Sequence, residues 1–290
     1  MKKFNNFSKK FVLGTAQLCE KYGYFNKSKS SNKKAIKILE TAYENNIFYY
    51  DTAPAYGSEN LIGAFIKANN LSQKIKVSSK IPSLQKESNP LKSVSSYLTK
   101  SSKSLNYCID NIFFHDPKDF RIYLNNKTFF NNLFNDLNIK NFGLSVYSNA
   151  DINKISKYNK KITIQFPYNI LDRNFEKYNK KFKIKFARSI LLQGLLAYNA
   201  SIKKINNNLF KNFLIQYHKL LNKYKLNPYD VAVSFVLQNK HIDFFIIGID
   251  NIDQLTQLIN FKEYKKKLIQ NIINHKFEFN KKLIDPRQWN

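Results

Sequence analysis

Eight short runs of β-branched and aromatic residues recur along the chain, each followed by a longer segment, and this alternation restricts the fold more than any other feature. The runs are FVLGT (11 to 15), FYYD (48 to 51), KVSSK (76 to 80), NIFFH (111 to 115), NFGLS (141 to 145), ITIQ (162 to 165), IKFAR (184 to 188) and FFIIG (244 to 248). The segments between them have helical spacing. Residues 33 to 45 put Ala35, Ile38, Leu39 and Ala42 on one stripe, and residues 205 to 224 put Leu209, Phe213 and Tyr217 on one face. Strand and helix in alternation imply a parallel sheet. Eight such units in about 250 residues predict a closed (β/α)8 TIM barrel rather than an open sheet. At 290 residues and 43% apolar content, the chain can bury a large core, and one barrel domain over residues 1–290 is expected.

Glycine usage sharpens this reading. Only 7 glycines are present where average usage would give about 20, so each marks a place where a side chain is awkward. Gly14, Gly57, Gly143, Gly194 and Gly248 fall in or just after predicted strands, where a barrel turns into its βα loops and where barrel enzymes bind ligands. Taken singly, each reads equally well as an ordinary turn glycine. Neither G-x-G-x-x-G nor a Walker A sequence is present, so a nucleotide would not be held by a Rossmann or P-loop cradle.

The net charge of +28 invites a nucleic-acid reading, since polyanion binders cluster Lys and Arg. Of the 48 basic residues, however, only Arg121, Arg173, Arg188 and Arg287 are arginines, whereas base and phosphate recognition favours the guanidinium fork. Lys, Asn, Ile, Phe and Tyr are inflated together, as an A/T-rich genome would produce, and the runs KKFKIK and YKKKL read as solvated surface. No nucleic-acid partner is expected. Nowhere do about 18 apolar residues run uninterrupted, so no membrane partner is expected either. The basic start MKKFNNFSKKFVLGTAQ lacks an apolar run of signal-peptide length, and a cytoplasmic protein is expected. Cys19 and Cys108 lie far apart, with no metal-ligand spacing, which fits a reducing compartment and offers neither a disulfide framework nor a metal site. The expected assembly is a monomer or a weak homo-oligomer.

Strands of a parallel sheet are covered on both faces and should be nearly all apolar. Three of the runs break that rule at their last residue: Asp51 ends FYYD, Lys80 ends KVSSK and His115 ends NIFFH. All three fall on the C-terminal rim of the predicted barrel. Three ionisable groups on one rim carry a large desolvation cost unless they pair or contact a ligand. Tyr56 joins them from the turn after Asp51, before Gly57, and Ser58 is placed to cap the helix that Glu59, Leu61, Ile62, Phe65 and Ile66 continue. A phenol is a poor proton donor near neutrality, but an adjacent ammonium favours the phenolate. Lysine in turn needs a counter-charge, which Asp51 can supply, and a histidine can orient substrate or relay a proton. Together these four residue types make a proton donor for a carbonyl oxygen.

The motifs LGTAQL, DTAPAYGSENLIG, VSSK, FFHD, FGLSVY, IQFPYN, ARSILLQGLL and FIIGIDNIDQL follow one another from about Val12 to Phe261, and in order and spacing the chain resembles the aldo/keto reductases. The D-x(4)-Y-G-x-E pattern with downstream Lys and His is specific. The resemblance implies a nicotinamide dinucleotide, NADP or NAD, bound in extended form at the C-terminal rim, a small carbonyl compound as substrate, and a catalytic tetrad of Asp51, Tyr56, Lys80 and His115, with Tyr56 as proton donor. It further implies that Ser145 and Gln165 hold the nicotinamide carboxamide and that Gly14 and Thr15 flank the cofactor. The loop from Ser189 to Leu195, including Leu191, Gln193 and Gly194, would run along the pyrophosphate. The residues alone also allow Gln165 to be a core-capping amide.

Two positions depart from the family. Where an aromatic residue usually stacks on the nicotinamide, this chain has Arg188, which can stack or can bind a carboxylate or phosphate, so sugar-derived or acidic carbonyl compounds are both open. After the eighth strand, where many members grip the 2′-phosphate of NADP with basic residues, this chain has Gly248, Asp250, Gln254 and Gln257. The family favours NADP; this segment allows NAD. A long first βα loop carries Tyr22, Tyr24 and Phe25 and is expected to cover the substrate, and Trp289 either packs under the barrel or reaches the site. A cofactor-binding barrel with a scaffolding role and no turnover is the alternative to an enzyme.

Overall fold

A computed structural model describes residues 7–19, 31–107, 109–155, 162–178, 180–205 and 207–289 of the chain. Eight strands, β1 (Phe11–Gly14), β2 (Tyr49–Asp51), β3 (Lys76–Ile81), β4 (Ile109–Phe114), β5 (Asn141–Ser145), β6 (Thr163–Pro167), β7 (Lys185–Arg188) and β8 (Phe244–Gly248), form a closed barrel in sequence order. Every neighbouring pair is parallel, including β8 with β1. This is the (β/α)8 barrel expected from the alternation, with each strand within two residues of its predicted bounds. Tyr22, Tyr24, Phe25 and Cys108 lie outside the described residues.

Helices cover the barrel. Asn32–Glu44 buries Ala35, Ile38, Leu39 and Ala42, the predicted stripe, and Ser31 caps its start by accepting the Lys34 N–H. Asn208–Lys223 buries Phe210, Phe213, Leu214, Tyr217 and Leu221, with Leu209 half-buried at its first turn. Glu59–Ala68 and Pro90–Ser104 follow β2 and β3, and Gly63 allows their close approach, because a Cβ there would lie 1.8 Å from the Ser104 carbonyl oxygen. Trp289 packs edge-on against Phe210, ring centroids 4.6 Å apart, and donates to the Leu283 carbonyl at 3.1 Å, so it seats the C-terminal segment on the outer layer.

Successive side chains of a strand point to opposite faces. Outward residues such as Leu13, Tyr50, Ile112, Leu144, Ile164 and Phe245 join the helices in the main core, while Val12, Tyr49, Phe113, Phe186 and Ile246 form a separate cluster inside the barrel. That inner plug is mostly aromatic: Phe186 meets Tyr49, Phe113 and Phe244 at centroid distances of 5.5, 5.6 and 4.8 Å. Its Tyr49 hydroxyl is bonded by the Asn111 amide. Large rings close the lower barrel, so space opens only above them. Two residues further along each strand, the same parity aims Gly14, Asp51, Lys80, His115, Ser145, Gln165, Arg188 and Gly248 into the C-terminal mouth.

Candidate active site

Above the aromatic plug lies a cavity of about 380 Å³. Its wall includes Gly14, Thr15, Asp51, Tyr56, Gln165, Arg188, Ser189, Leu191, Gln193, Gly194, Gly248, Asp250 and Gln254. Of the positions expected along the cofactor, Leu192 and Leu195 of the loop do not line this cavity, nor does Ser145, which is buried and donates to the Gln165 Oε1 at 3.3 Å.

The turn after β2 delivers Tyr56 to this space. Asp51 ends the strand, the Thr52 N–H donates to the Ser78 carbonyl of β3 at 2.8 Å, and Pro54–Tyr56 form a single 3-10 turn. Gly57 closes that turn at φ 68°, a left-handed conformation that favours glycine, and the chain restarts at once as Glu59–Ala68. Ser58 does not cap this helix, contrary to expectation. Its backbone is already helical, with φ −91° and ψ −6°, and its buried hydroxyl shares hydrogen bonds with Thr15 at 2.9 Å and Thr52 at 2.8 Å. Thr15 in turn donates to the Asp51 carbonyl at 2.9 Å, so the hydroxyls tie β1 to the turn. Glu59, buried at the helix start, accepts from Ser79 at 2.6 Å and Ser101 at 3.1 Å. Burial pushes its carboxyl pKa up against the opposing pull of these two hydroxyls.

Beneath the cavity floor Lys80 donates to Asp51 Oδ2 at 2.7 Å and to the Thr52 carbonyl at 2.8 Å, with Lys80 3% and Asp51 5% exposed. Gln165 donates to the other Asp51 oxygen at 2.8 Å. Asp51 is therefore held from both sides. The Lys80 ammonium lies 4.8 Å from the Tyr56 ring centroid. Burial alone would depress its pKa, but the Asp51 charge, followed by the Tyr56 oxygen and direct hydrogen bonds, holds it above the ordinary lysine value. His115 stands just past β4, its N–H bonded to the Ile81 carbonyl at 3.1 Å. Burial, then the Lys80 and Arg188 charges, lower its pKa to about 4, so its imidazole is neutral at pH 7. Lys80 is buried under Asp51 and Tyr56 and does not line the cavity, and His115 is half-buried on the same rim.

Above β7 the loop has backbone torsions unusual for its residues: Ser189, Leu192 and Gln193 have φ of 55°, 47° and 51°, and Gly194 92°. Asn169 fixes the first of these by donating to the Ser189 carbonyl at 3.0 Å. Leu192 and Leu195 turn into the core, while Ser189, Ile190, Leu191, Gln193 and Gly194 face the cavity. The turns are closed internally, the Leu192 and Gly194 N–H groups donating to the Ser189 and Leu191 carbonyls, each at 3.0 Å. At the end of β8, Gly248 lets the Gln17 side chain lie across the strand, since a Cβ would fall 2.1 Å from Gln17 Oε1. Asp250 and Gln254 bond each other, Asp250 N to Gln254 Oε1 at 2.9 Å and Gln254 Nε2 to Asp250 Oδ2 at 3.1 Å. Arg188 is the one cation among the described residues lining the cavity.

Sequence reading missed Gln17, Tyr147 and Arg287. Tyr147 follows β5, and the guanidinium carbons of Arg188 and Arg287 lie 4.0 and 3.9 Å from its ring centroid. Rarity was the available signal: two of four arginines in a lysine-rich chain converge on one ring. Trp289 does not line the cavity. No group of His, Cys, Asp and Glu among the described residues could hold a metal ion, and no described helix is long and apolar enough to cross a membrane.

The Aldo/keto reductase family profile matches residues 10–274. Comparison with curated protein sequences gives no match. Among solved structures, the chain is similar to an aldo-keto reductase from Bacillus halodurans in its holo form, at TM-score 0.70 and 19% identity, covering 95% of this chain and 95% of that one. It is also similar to a glycerol dehydrogenase from Gluconobacter oxydans, at TM-score 0.66 and 20% identity, covering 91% of each chain.

Proposed function

Because the chain belongs to the aldo/keto reductase family, we propose that its cavity binds a nicotinamide dinucleotide and reduces the carbonyl of an aldehyde or ketone, with Tyr56 as the proton donor. One observation carries this reading: a buried ammonium, locked to Asp51, sits against a tyrosine that faces the cavity. The residues present suit such a cofactor. Gly14 and Gly248 open the mouth, Gln165 and Ser145 offer amide and hydroxyl partners, and the loop Ser189 to Gly194 lines the cavity where a pyrophosphate would run. When bound, the dinucleotide supplies the hydride that reaches the carbonyl carbon.

The chain's own groups handle the proton. As negative charge develops on the carbonyl oxygen, the Tyr56 hydroxyl gives up its proton to that oxygen, and the product leaves as an alcohol. The phenolate left behind is stabilised by the Lys80 ammonium. Asp51 keeps Lys80 charged and in place, with the Asp51 carboxylate itself fixed by Gln165. A neutral His115 serves as an orienting hydrogen-bond donor for the same oxygen rather than as a competing acid. The wall residues exclude bulk water around the reacting atoms.

Cofactor choice follows from charge. A 2′-phosphate would meet no cation at the Asp250 and Gln254 end of the described wall, so NAD is expected to bind at least as well as NADP, although the family resemblance favours NADP. Dissociation constants for both decide it; a hundredfold preference for NADP, about 2.7 kcal/mol, overturns this reading. The function itself is tested by following NAD(P)H oxidation with a carbonyl panel. Wild type is expected to turn over and Tyr56→Phe to lose at least about 100-fold in kcat, within the range of general acid catalysis, while still binding cofactor. A Tyr56→Phe enzyme as fast as wild type, or a wild type that binds cofactor without turnover on any carbonyl, refutes it and leaves the scaffolding alternative.

A further inference from the structure

We propose that Arg188, held against Tyr147, reads the charge of the substrate and selects carbonyl compounds that carry a single carboxylate. This inference rests on the cavity being the carbonyl-reducing site argued above, and goes on to name its substrate class.

Arg188 is the last inward residue of β7, and its backbone is fixed: the Tyr168 N–H donates to its carbonyl at 3.0 Å, and the next residue is tied by Asn169. Its side chain is equally constrained. One guanidinium nitrogen donates to the Val146 carbonyl at 3.0 Å, the other to Ser189 Oγ at 3.3 Å, and the guanidinium carbon lies 4.0 Å from the Tyr147 ring centroid. Arg287 approaches the same ring, its guanidinium carbon 3.9 Å from the centroid. Arg287 is itself clamped by Asp285, through Nε to Oδ1 and Nη2 to Oδ2, both at 2.8 Å. A ring with two guanidinium groups within 4 Å of its centroid gains cation–π attraction from each. The result is a stiff stack running from the C-terminal segment to the cavity wall.

Charge pairing sets what the stack can hold. Asp285 answers Arg287 and Asp51 answers Lys80, whereas among the described residues Arg188 has no carboxylate within 4 Å and only the longer-range attraction of the buried Asp172. Two of the five guanidinium hydrogens are used, leaving donors for a ligand. Arg188 also acts electrostatically on His115, so its charge is felt where the carbonyl would bind. An anchored guanidinium on the cavity wall, with no contact ion pair of its own and donors to spare, matches one carboxylate, with the fork geometry that makes such pairs strong. One cation balances one negative charge. A phosphate monoester, with charge near −1.5 to −2, would remain partly uncompensated.

The test compares kcat/KM for 4-oxobutanoate and butanal, near-isosteres that differ in charge, with glyceraldehyde 3-phosphate as the phosphate arm. Wild type is expected to prefer 4-oxobutanoate at least about tenfold over butanal and over the phosphate ester. Arg188→Met should bring the ratio to butanal near one, chiefly through KM for the acid. Arg188→Lys should restore only part of it, because the charge is kept and the fork lost. Arg287→Ala tests positioning: KM for 4-oxobutanoate should rise while kcat on it is largely kept, since Arg287 does not line the cavity and meets Arg188 only through Tyr147. Independently of turnover, calorimetric titration of the protein, with and without oxidised cofactor, should show butanoate binding to wild type, no binding of butanamide, and loss of butanoate binding in Arg188→Met. Equal treatment of 4-oxobutanoate and butanal, or a butanoate response unaffected by Arg188→Met, overturns the proposal. Absence of turnover on every carbonyl overturns the reductase reading instead, and the butanoate titration still decides the anion site.

Discussion

Replacing Lys80 with methionine keeps the length and apolar stem of the side chain and removes only its charge and donors, which isolates the electrostatics beneath the cavity. Two hydrogen bonds vanish, to Asp51 at 2.7 Å and to the Thr52 carbonyl at 2.8 Å. Asp51, 5% exposed, then retains one neutral donor, Gln165. Removing one partner of a buried pair in this way costs about 3–5 kcal/mol. Against typical domain stabilities of about 5–15 kcal/mol, that is a large share. Replacing both charges in Lys80→Met with Asp51→Asn leaves no buried ion, so the double variant should be more stable than Lys80→Met alone by about 2 kcal/mol. Urea unfolding followed by circular dichroism and by tyrosine and tryptophan fluorescence measures this, provided the transitions coincide. The cycle of wild type, two single variants and the double variant gives the coupling energy. A Lys80→Met variant within about 1 kcal/mol of wild type, or a double variant whose loss equals the sum of the singles, would refute the view of Asp51 and Lys80 as a buried pair whose members need each other.

The remaining predictions concern His115 and two glycines. A histidine whose pKa falls from 6.5 unfolded to about 4 folded favours folding while neutral, so its contribution is complete above pH 6.5 and is lost as pH falls from there toward 4. Proton NMR of the imidazole, assigned by its disappearance in His115→Gln, should show no titration above pH 5.5; a midpoint near 6.5 refutes the burial argument. Gly143→Ala would set a methyl 1.8 Å from the Thr163 backbone carbonyl, forcing β5 from β6, and should cost about 3 kcal/mol in urea unfolding. Gly248→Ala meets only the far end of Gln17, which can swing aside; stability should change by less than about 1 kcal/mol, while the dissociation constant for the nicotinamide cofactor rises at least about tenfold. Equal unfolding losses for the two variants would show that the neighbours of both glycines yield alike.

The strands were legible because each is a short run between two covering layers, and parallel pairing demands apolar residues on both faces. For the same reason the ionisable strand ends stood out: Asp51, Lys80 and His115 contradict the local composition, and residue parity aims all three inward. Tyr56 was legible through its place between Asp51 and Gly57. Ser58 was misread because a serine before an acidic residue satisfies the local signal for a cap, whereas its actual partners, Thr15 and Thr52, include one from a strand 43 residues away. Tyr147 and Arg287 were invisible for a related reason. A tyrosine among 18 and an arginine near the chain end acquire meaning only when tertiary packing stacks them, and no local periodicity encodes a contact between the fifth strand's loop and residue 287. Trp289 offered two destinations, and packing on Phe210 chose between them.

The seam where β8 meets β1 has a bearing on how the molecule comes into being. Phe11 lies opposite Phe245 and Gly14 opposite Gly248, so the first strand waits for its second neighbour until β2 through β8 have all left the ribosome. Such a distant pairing forms late, after the loop-closure entropy of the intervening chain has been overcome. Both glycines at that join face the mouth, hence a nascent chain short of β8 has no complete pocket to offer. Any small molecule that seats there acts as a latch on the finished ring alone, raising its stability by mass action and leaving every partly made form untouched.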